Sequence, residues 1–165
     1  DGLAVGIIAV DPTSPYSGGA FLGDRIRMQH HSLDPGVFIR SIATRVSLGG
    51  IPRVVRGAVM LMDAFGKDIV MVETVGVGQT ELGIMGVADS VVVVLTPEAG
   101  DMVQSLKAGL MEIPDIFVVN KADREGASQM VGTIESMLNM GDDRGEWTKP
   151  VLLTEAHTGD GMAEL

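Results

Sequence analysis

The chain has 165 residues with 12 basic and 22 acidic side chains, and its formal charge of −10 argues against a general phosphate-backbone binder, which needs a basic surface. With no cysteine it excludes disulfide scaffolds, thiolate nucleophiles and cysteine-ligated metals, and no apolar run reaches the ~20 residues that span a bilayer. The length fits one domain with a sizeable core, and Asp1-Gly2-Leu3 lacks the basic n-region of a secretion signal.

Six apolar runs of strand length follow one another: Leu3–Val10, Val37–Ile39, Ile69–Val72, Val91–Leu95, Ile116–Val119 and Val151–Leu153. Most are continuous rather than alternating, which suits strands of a parallel sheet covered on both faces. Between the second and third runs, Val54, Ala58, Leu61, Met62 and Phe65 recur at helical spacing, with Pro52 near the start. Val103, Leu106, Leu110 and Ile113 form a second stripe, opened by Asp101 as an N-cap. Met130, Ile134, Met137 and Leu138 form a third, and the polar stretch 141–149 reads as a surface loop around Trp147. Strands alternating with helices predict an α/β fold with a mostly parallel, doubly wound sheet in one domain.

In such sheets ligands bind outside the carboxyl ends of the strands. Here those ends carry Asp11-Pro12-Thr13-Ser14, Glu73-Thr74-Val75-Gly76, Thr96-Pro97, Asn120-Lys121-Ala122-Asp123 and Thr154-Glu155-Ala156. The sharpest is Asn120-Lys121-Ala122-Asp123, which matches the NKxD guanine-recognition signature directly after a buried strand. Guanine presents N1–H and N2–H as adjacent donors, and one aspartate accepts both; adenine has no such pair, so the carboxylate would be left unpaired against ATP.

Glu73-Thr74-Val75-Gly76-Val77-Gly78-Gln79 reads as an E-x-x-G element, in which the acid orients Mg²⁺ or its water and the glycine lets a backbone N–H approach a γ-phosphate. A dinucleotide fingerprint fails, because G-x-G-x-x-G would need a glycine where Glu81 stands. The stretch from Asp11 to Met28 holds two carboxylates, Asp11 and Asp24, suited to Mg²⁺, and two arginines, Arg25 and Arg27, suited to phosphate or transition-state charge. His30 and His31 are adjacent and diverge, so they chelate poorly, and His157 is distant in sequence. Met130 and Met137 read as core filler.

Together with Gly23-Asp24-Arg25-Ile26-Arg27-Met28, Phe38-Ile39-Arg40-Ser41, Gly100-Asp101 and Lys107-Ala108-Gly109, these strings resemble, in order and over nearly the whole chain, the G domain of the methylmalonyl-CoA mutase-associated GTPases of the MeaB/ArgK type. That family belongs to the signal-recognition-particle, MinD and BioD class of P-loop GTPases. The resemblance implies a P-loop NTPase-type sheet and a Mg²⁺-dependent, GTP-hydrolysing chaperone that binds GTP and GDP and gates cobalamin loading and protection of an acyl-CoA mutase. By matched position Asp11, Asp24 and Glu73 would organise Mg²⁺ and the attacking water, and Gly76 would sense the γ-phosphate. Gln79 belongs to the same switch segment, and Lys107 to a further switch that relays nucleotide state to the mutase. Asn120, Lys121 and Asp123 would hold guanine, and a backbone N–H from Ala156 would reach guanine O6, although Thr154-Glu155-Ala156 departs from the family's Thr-Ser-Ala.

The larger departure is that no G-x-x-x-x-G-K-[ST] occurs; Gly66-Lys67 is followed by Asp68, and Leu61 stands at the earlier glycine position. The resemblance therefore implies that residues 1–165 are a G-domain fragment whose first strand and P-loop lie upstream of Asp1, whose helical dimerisation arm lies downstream, and which is inactive alone. The expected partners are a methylmalonyl-CoA mutase or related cobalamin-dependent mutase and, at full length, a second copy, with no nucleic acid and no membrane. The expected compartment is the bacterial cytoplasm, or the mitochondrial matrix in a eukaryote. Three alternatives stay open: an inactive truncated interaction module, an ATP-dependent kinase of a transport system, and a nickel-delivering GTPase, against which the lack of cysteine counts.

Overall fold

The computed structural model describes residues 2–12, 28–31, 33–44, 53–74, 86–99, 111–140 and 147–165. The chain divides into two units, Asp1–Ala88 and Asp89–Leu165, each built on a three-stranded parallel sheet.

In the first unit the strands are β1 (Val5–Pro12), β2 (Val37–Thr44) and β3 (Ile69–Thr74), in the order β2-β1-β3, with helix α1 (Arg53–Ala64) between β2 and β3. The Val/Ile content of these runs favours extended backbone, and parallel pairing sets Val5 beside both Val37 and Ile69. The core is Ile8 and Val10 of β1 against Val55 and Met62 of α1. Gly6 permits this close approach, because a Cβ there would stand 2.5 Å from the Met62 sulfur.

The packing face of α1 shares Ala58 and Met62 with the predicted stripe and differs from it elsewhere. Val55 and Met62 are buried and Ala58 and Val59 half-buried, an i, i+3, i+4, i+7 set, whereas Val54, Leu61 and Phe65 are exposed. Apolar residues at 54, 55 and 58–62 give the helix two adjacent stripes, and the surface offered by Ile8 and Val10 selects one of them.

The second unit orders β4 (Val92–Leu95), β5 (Ile116–Asn120) and β6 (Val151–Thr154) as β4-β5-β6, with helix α2 (Ala127–Met140) crossing from β5 to β6. Leu95, Phe117, Val119, Ala127, Met130 and Ile134 form its core, with Met137 and Leu138 packed against it, so the third predicted stripe faces inward. Each fully buried apolar side chain of this kind contributes roughly 1.5–3 kcal/mol. Trp147 is exposed but anchored, its indole N–H donating to the Asp115 carbonyl at 3.0 Å. Pro52 and most of the second predicted helical stripe lie outside the described residues; Ile113 at its end is buried.

All six predicted strands form, and the chain is an α/β protein with parallel sheets. Among the described strands, burial on both faces holds for the two central ones: Ile8, Ala9 and Val10 of β1 and Phe117, Val118 and Val119 of β5 are buried in succession. In β3 and β4, Ile69, Met71, Val92 and Val94 are exposed, because these are outer strands and each unit has one described helix on one face. Among the described residues no helix is long and apolar enough to cross a membrane.

Candidate functional site

The carboxyl ends of β5 and β6 lie side by side, with Asn120 in register with Thr154. Beyond Asn120 the chain turns sharply: Lys121 adopts φ 61°, a left-handed conformation uncommon for a residue with a Cβ. The Ala122 N–H then donates to the Thr154 carbonyl at 3.0 Å, and the Arg124 N–H to the Lys121 carbonyl at 3.0 Å. Beyond Thr154 the chain closes a compact turn. The Glu155 N–H donates to the Asp160 carbonyl at 2.9 Å, and the N–H groups of Thr158 and Gly159 both donate to the Glu155 carbonyl.

Asn120 joins these two loops. Its Oδ1 accepts the Ala156 N–H at 3.1 Å and the hydroxyl of buried Thr154 at 3.3 Å. Because an N–H can only donate, the amide oxygen must face Ala156, which leaves the Asn120 NH₂ as the outward donor. The Ala156 N–H is thus committed to Asn120 in this arrangement, so a contact from it to guanine O6 needs a shared hydrogen bond.

Asp123 is exposed on the same loop. Ligand atoms of Asp123, Glu155 and His157 lie within 4.8 Å of one another, and His157 Nε2 sits 3.0 Å from Glu155 Oε1. Residues distant in sequence thereby share one edge, and His157 finds a carboxylate partner there. His30 and His31 are exposed in a short turn of the first unit.

Glu98 and Arg124, which the sequence reading did not single out, also belong to this edge. Glu98 lies on the 3₁₀ turn Pro97–Ala99 that follows β4. Its carboxylate pairs with the Arg124 guanidinium, and its Oε2 is 3.8 Å from Lys121 Nζ. The carboxyl is held down to about 2 by its own backbone N–H first, then by the Thr96 hydroxyl, with Arg124 adding to both. Thr-Pro ahead of an acidic residue announces a turn start, but nothing in the spacing pairs Glu98 with a loop 26 residues later.

In the first unit, Glu73 is an exposed residue of β3 in register with Ala9 of β1, and Asp11 lies two residues beyond Ala9, paired along the backbone with Ala43 of β2. Both acids therefore sit within the strand ends rather than in the loops that follow. Asp24, Gly76, Gln79 and Lys107 lie outside the described residues.

Parallel sheets whose strand ends carry NKxD define the class of the fold, that of the P-loop GTPases, and solved structures agree. The LAO/AO transport system kinase superposes with a TM-score of 0.73 at 30% identity, over 99% of this chain and 47% of that one. HypB from Helicobacter pylori, in complex with nickel, shares the fold at a TM-score of 0.66 and 15% identity, over 98% of this chain and 71% of that one. The family model described as Methylmalonyl Co-A mutase-associated GTPase MeaB matches residues 1–165, and the chain belongs to that family. A provisionally named GTPase of Pyrococcus horikoshii is 56% identical over 100% of this chain and 53% of its own length. The mouse methylmalonic aciduria type A homolog, named mitochondrial, is 36% identical over 99% of this chain and 40% of its own. The chain spans about half the length of the first curated relatives it matches.

Proposed function

We propose that this chain supplies the guanine-recognition edge of a Mg²⁺-dependent GTPase that acts as a chaperone for a cobalamin-dependent acyl-CoA mutase, gating cobalamin loading and protection. The observation that carries the reading is Asn120, whose Oδ1 ties the β5 and β6 loops together through Ala156 and Thr154 while Asp123 stands exposed beside them. On this edge the Asp123 carboxylate accepts guanine N1–H and N2–H, the outward NH₂ of Asn120 donates to N7, and the Lys121 stem lies along the base. The Ala156 N–H meets O6 only by sharing its hydrogen with Asn120.

Oxygen donors suit Mg²⁺, and exposed Glu73 next to β1 fits that chemistry. Asp11, Asp24 and Glu73 would hold the ion, which would neutralise charge on the transferring phosphoryl group. Gly76 would meet the γ-phosphate, and Gln79 and Lys107 would carry nucleotide state toward the mutase. Both units are parts of one G domain in this reading, which at full length forms a homodimer in bacterial cytoplasm or mitochondrial matrix.

Competition against a ribose-labelled fluorescent GDP tests the base assignment in the full chain. GTP should displace the probe at far lower concentration than ATP, and Asp123→Ala should remove that preference. A preference that survives Asp123→Ala overturns the assignment. Displacement by ATP as effective as by GTP favours the transport-kinase reading that the LAO/AO neighbour's name suggests.

A further inference from the structure

We infer that Glu98 is a positioning residue for the base-recognition loop, fixing Lys121 and Arg124 from the end of β4 and thereby setting guanine affinity; this rests on the guanine reading of Asn120–Asp123. Two contacts carry it: the Glu98–Arg124 ion pair and the 3.8 Å approach of Glu98 Oε2 to Lys121 Nζ. Both cations bracket the loop. Lys121 stands at its left-handed corner with φ 61°, and Arg124 closes the turn by donating its N–H to the Lys121 carbonyl.

A left-handed residue with a Cβ persists only where its surroundings over-determine it. One carboxylate holding both ends of the turn adds to that constraint, beside the Ala122 N–H bond to the Thr154 carbonyl. The carboxylate is itself held in place: the Ala99 N–H donates to the Thr96 carbonyl at 2.9 Å, closing the 97–99 turn, and Ala99 packs on the core formed by Leu95, Phe117 and Ile134. The turn and the loop are also near neighbours: a Cβ added at Gly126 would stand 3.9 Å from the Pro97 Cβ. The end of β4 is thereby tied to the loop through Glu98.

The ion pairs are exposed, with 46% of the Glu98, 43% of the Lys121 and 53% of the Arg124 side chain accessible, so their strength is modest and screened by salt. The test is Glu98→Gln and Arg124→Ala in the full chain, alone and combined, with fluorescent GDP and ADP titrated at low and at molar salt. Amide exchange at Arg124 is followed in parallel without nucleotide. Glu98→Gln should weaken GDP binding about threefold at low salt, with the deficit closing at high salt and ADP binding unmoved. Arg124→Ala should add nothing to Glu98→Gln, and the Arg124 amide should exchange faster. Wild-type GDP affinity in Glu98→Gln, with GDP still preferred over ADP, overturns the inference and leaves the guanine reading standing. No preference in the wild type removes the guanine reading; an Arg124 amide whose exchange is unchanged by Glu98→Gln then overturns the positioning role as well.

Discussion

Gly159 and Gly161 make a controlled comparison within one turn. Both adopt positive φ, 90° and 73° respectively. A Cβ on Gly159 would meet nothing within 4 Å, whereas one on Gly161 would overlap the Leu153 carbonyl oxygen, with the carbonyl carbon at 3.1 Å and Thr154 Cα at 3.2 Å. Left-handed strain costs about 1 kcal/mol or somewhat more in each alanine variant. The reduced freedom of the unfolded chain, about 0.4–1 kcal/mol, offsets both alike. The clash is confined to Gly161 and is with backbone, which no rotamer change can relieve, so it adds roughly 1–3 kcal/mol of overpacking.

Gly161→Ala should therefore be less stable than Gly159→Ala by about 2 kcal/mol. It should also loosen the Glu155–Asp160 closure that presents Ala156. Trp147, the only tryptophan, lies in the same unit and reports its unfolding in urea without mutation of a probe. Equal destabilisation of the two variants would refute the packing argument and leave backbone strain alone as the cause.

Asn120→Ala strips the acceptor from buried Thr154 and from the Ala156 N–H, so Trp147-monitored unfolding should show a loss of about 1–3 kcal/mol. Asn120→Asp keeps an acceptor oxygen and should retain most of that stability while losing GDP affinity; an equal stability loss in both variants contradicts the bridging role of Oδ1. The carboxyl of Glu98 should titrate near pH 2 by carbon-detected NMR rather than at the ordinary 4.5. Its folded value is depressed, so its contribution to stability is complete above 4.5 and is lost as pH falls toward 2; an ordinary titration would deny the turn its grip on that carboxylate.

Much of the molecule was legible in the chain before any coordinate. The unbroken run Ile116–Asn120 required a strand covered on both faces, and the polar string directly after it announced a ligand edge, because a strand's carboxyl end and the residues leaving it are contiguous in sequence. The stripe Met130, Ile134, Met137 and Leu138 lay on one side of α2, with polar residues elsewhere to break the symmetry. Helix α1 had no such contrast: with apolar residues around much of its circumference, spacing picked out Ala58 and Met62 but also Val54, Leu61 and Phe65, and only the surface of β1 decided for Val55 and Val59 in place of those three. The same holds for contacts between strand ends. That Asn120 faces Ala156, that His157 meets Glu155 beside Asp123, and that Glu98 grips Arg124 all depend on the lateral order β4-β5-β6. Local sequence fixes what each strand end carries, whereas which ends become neighbours follows from how the sheet is assembled, and parallel pairing joins residues whose separation along the chain no periodicity records.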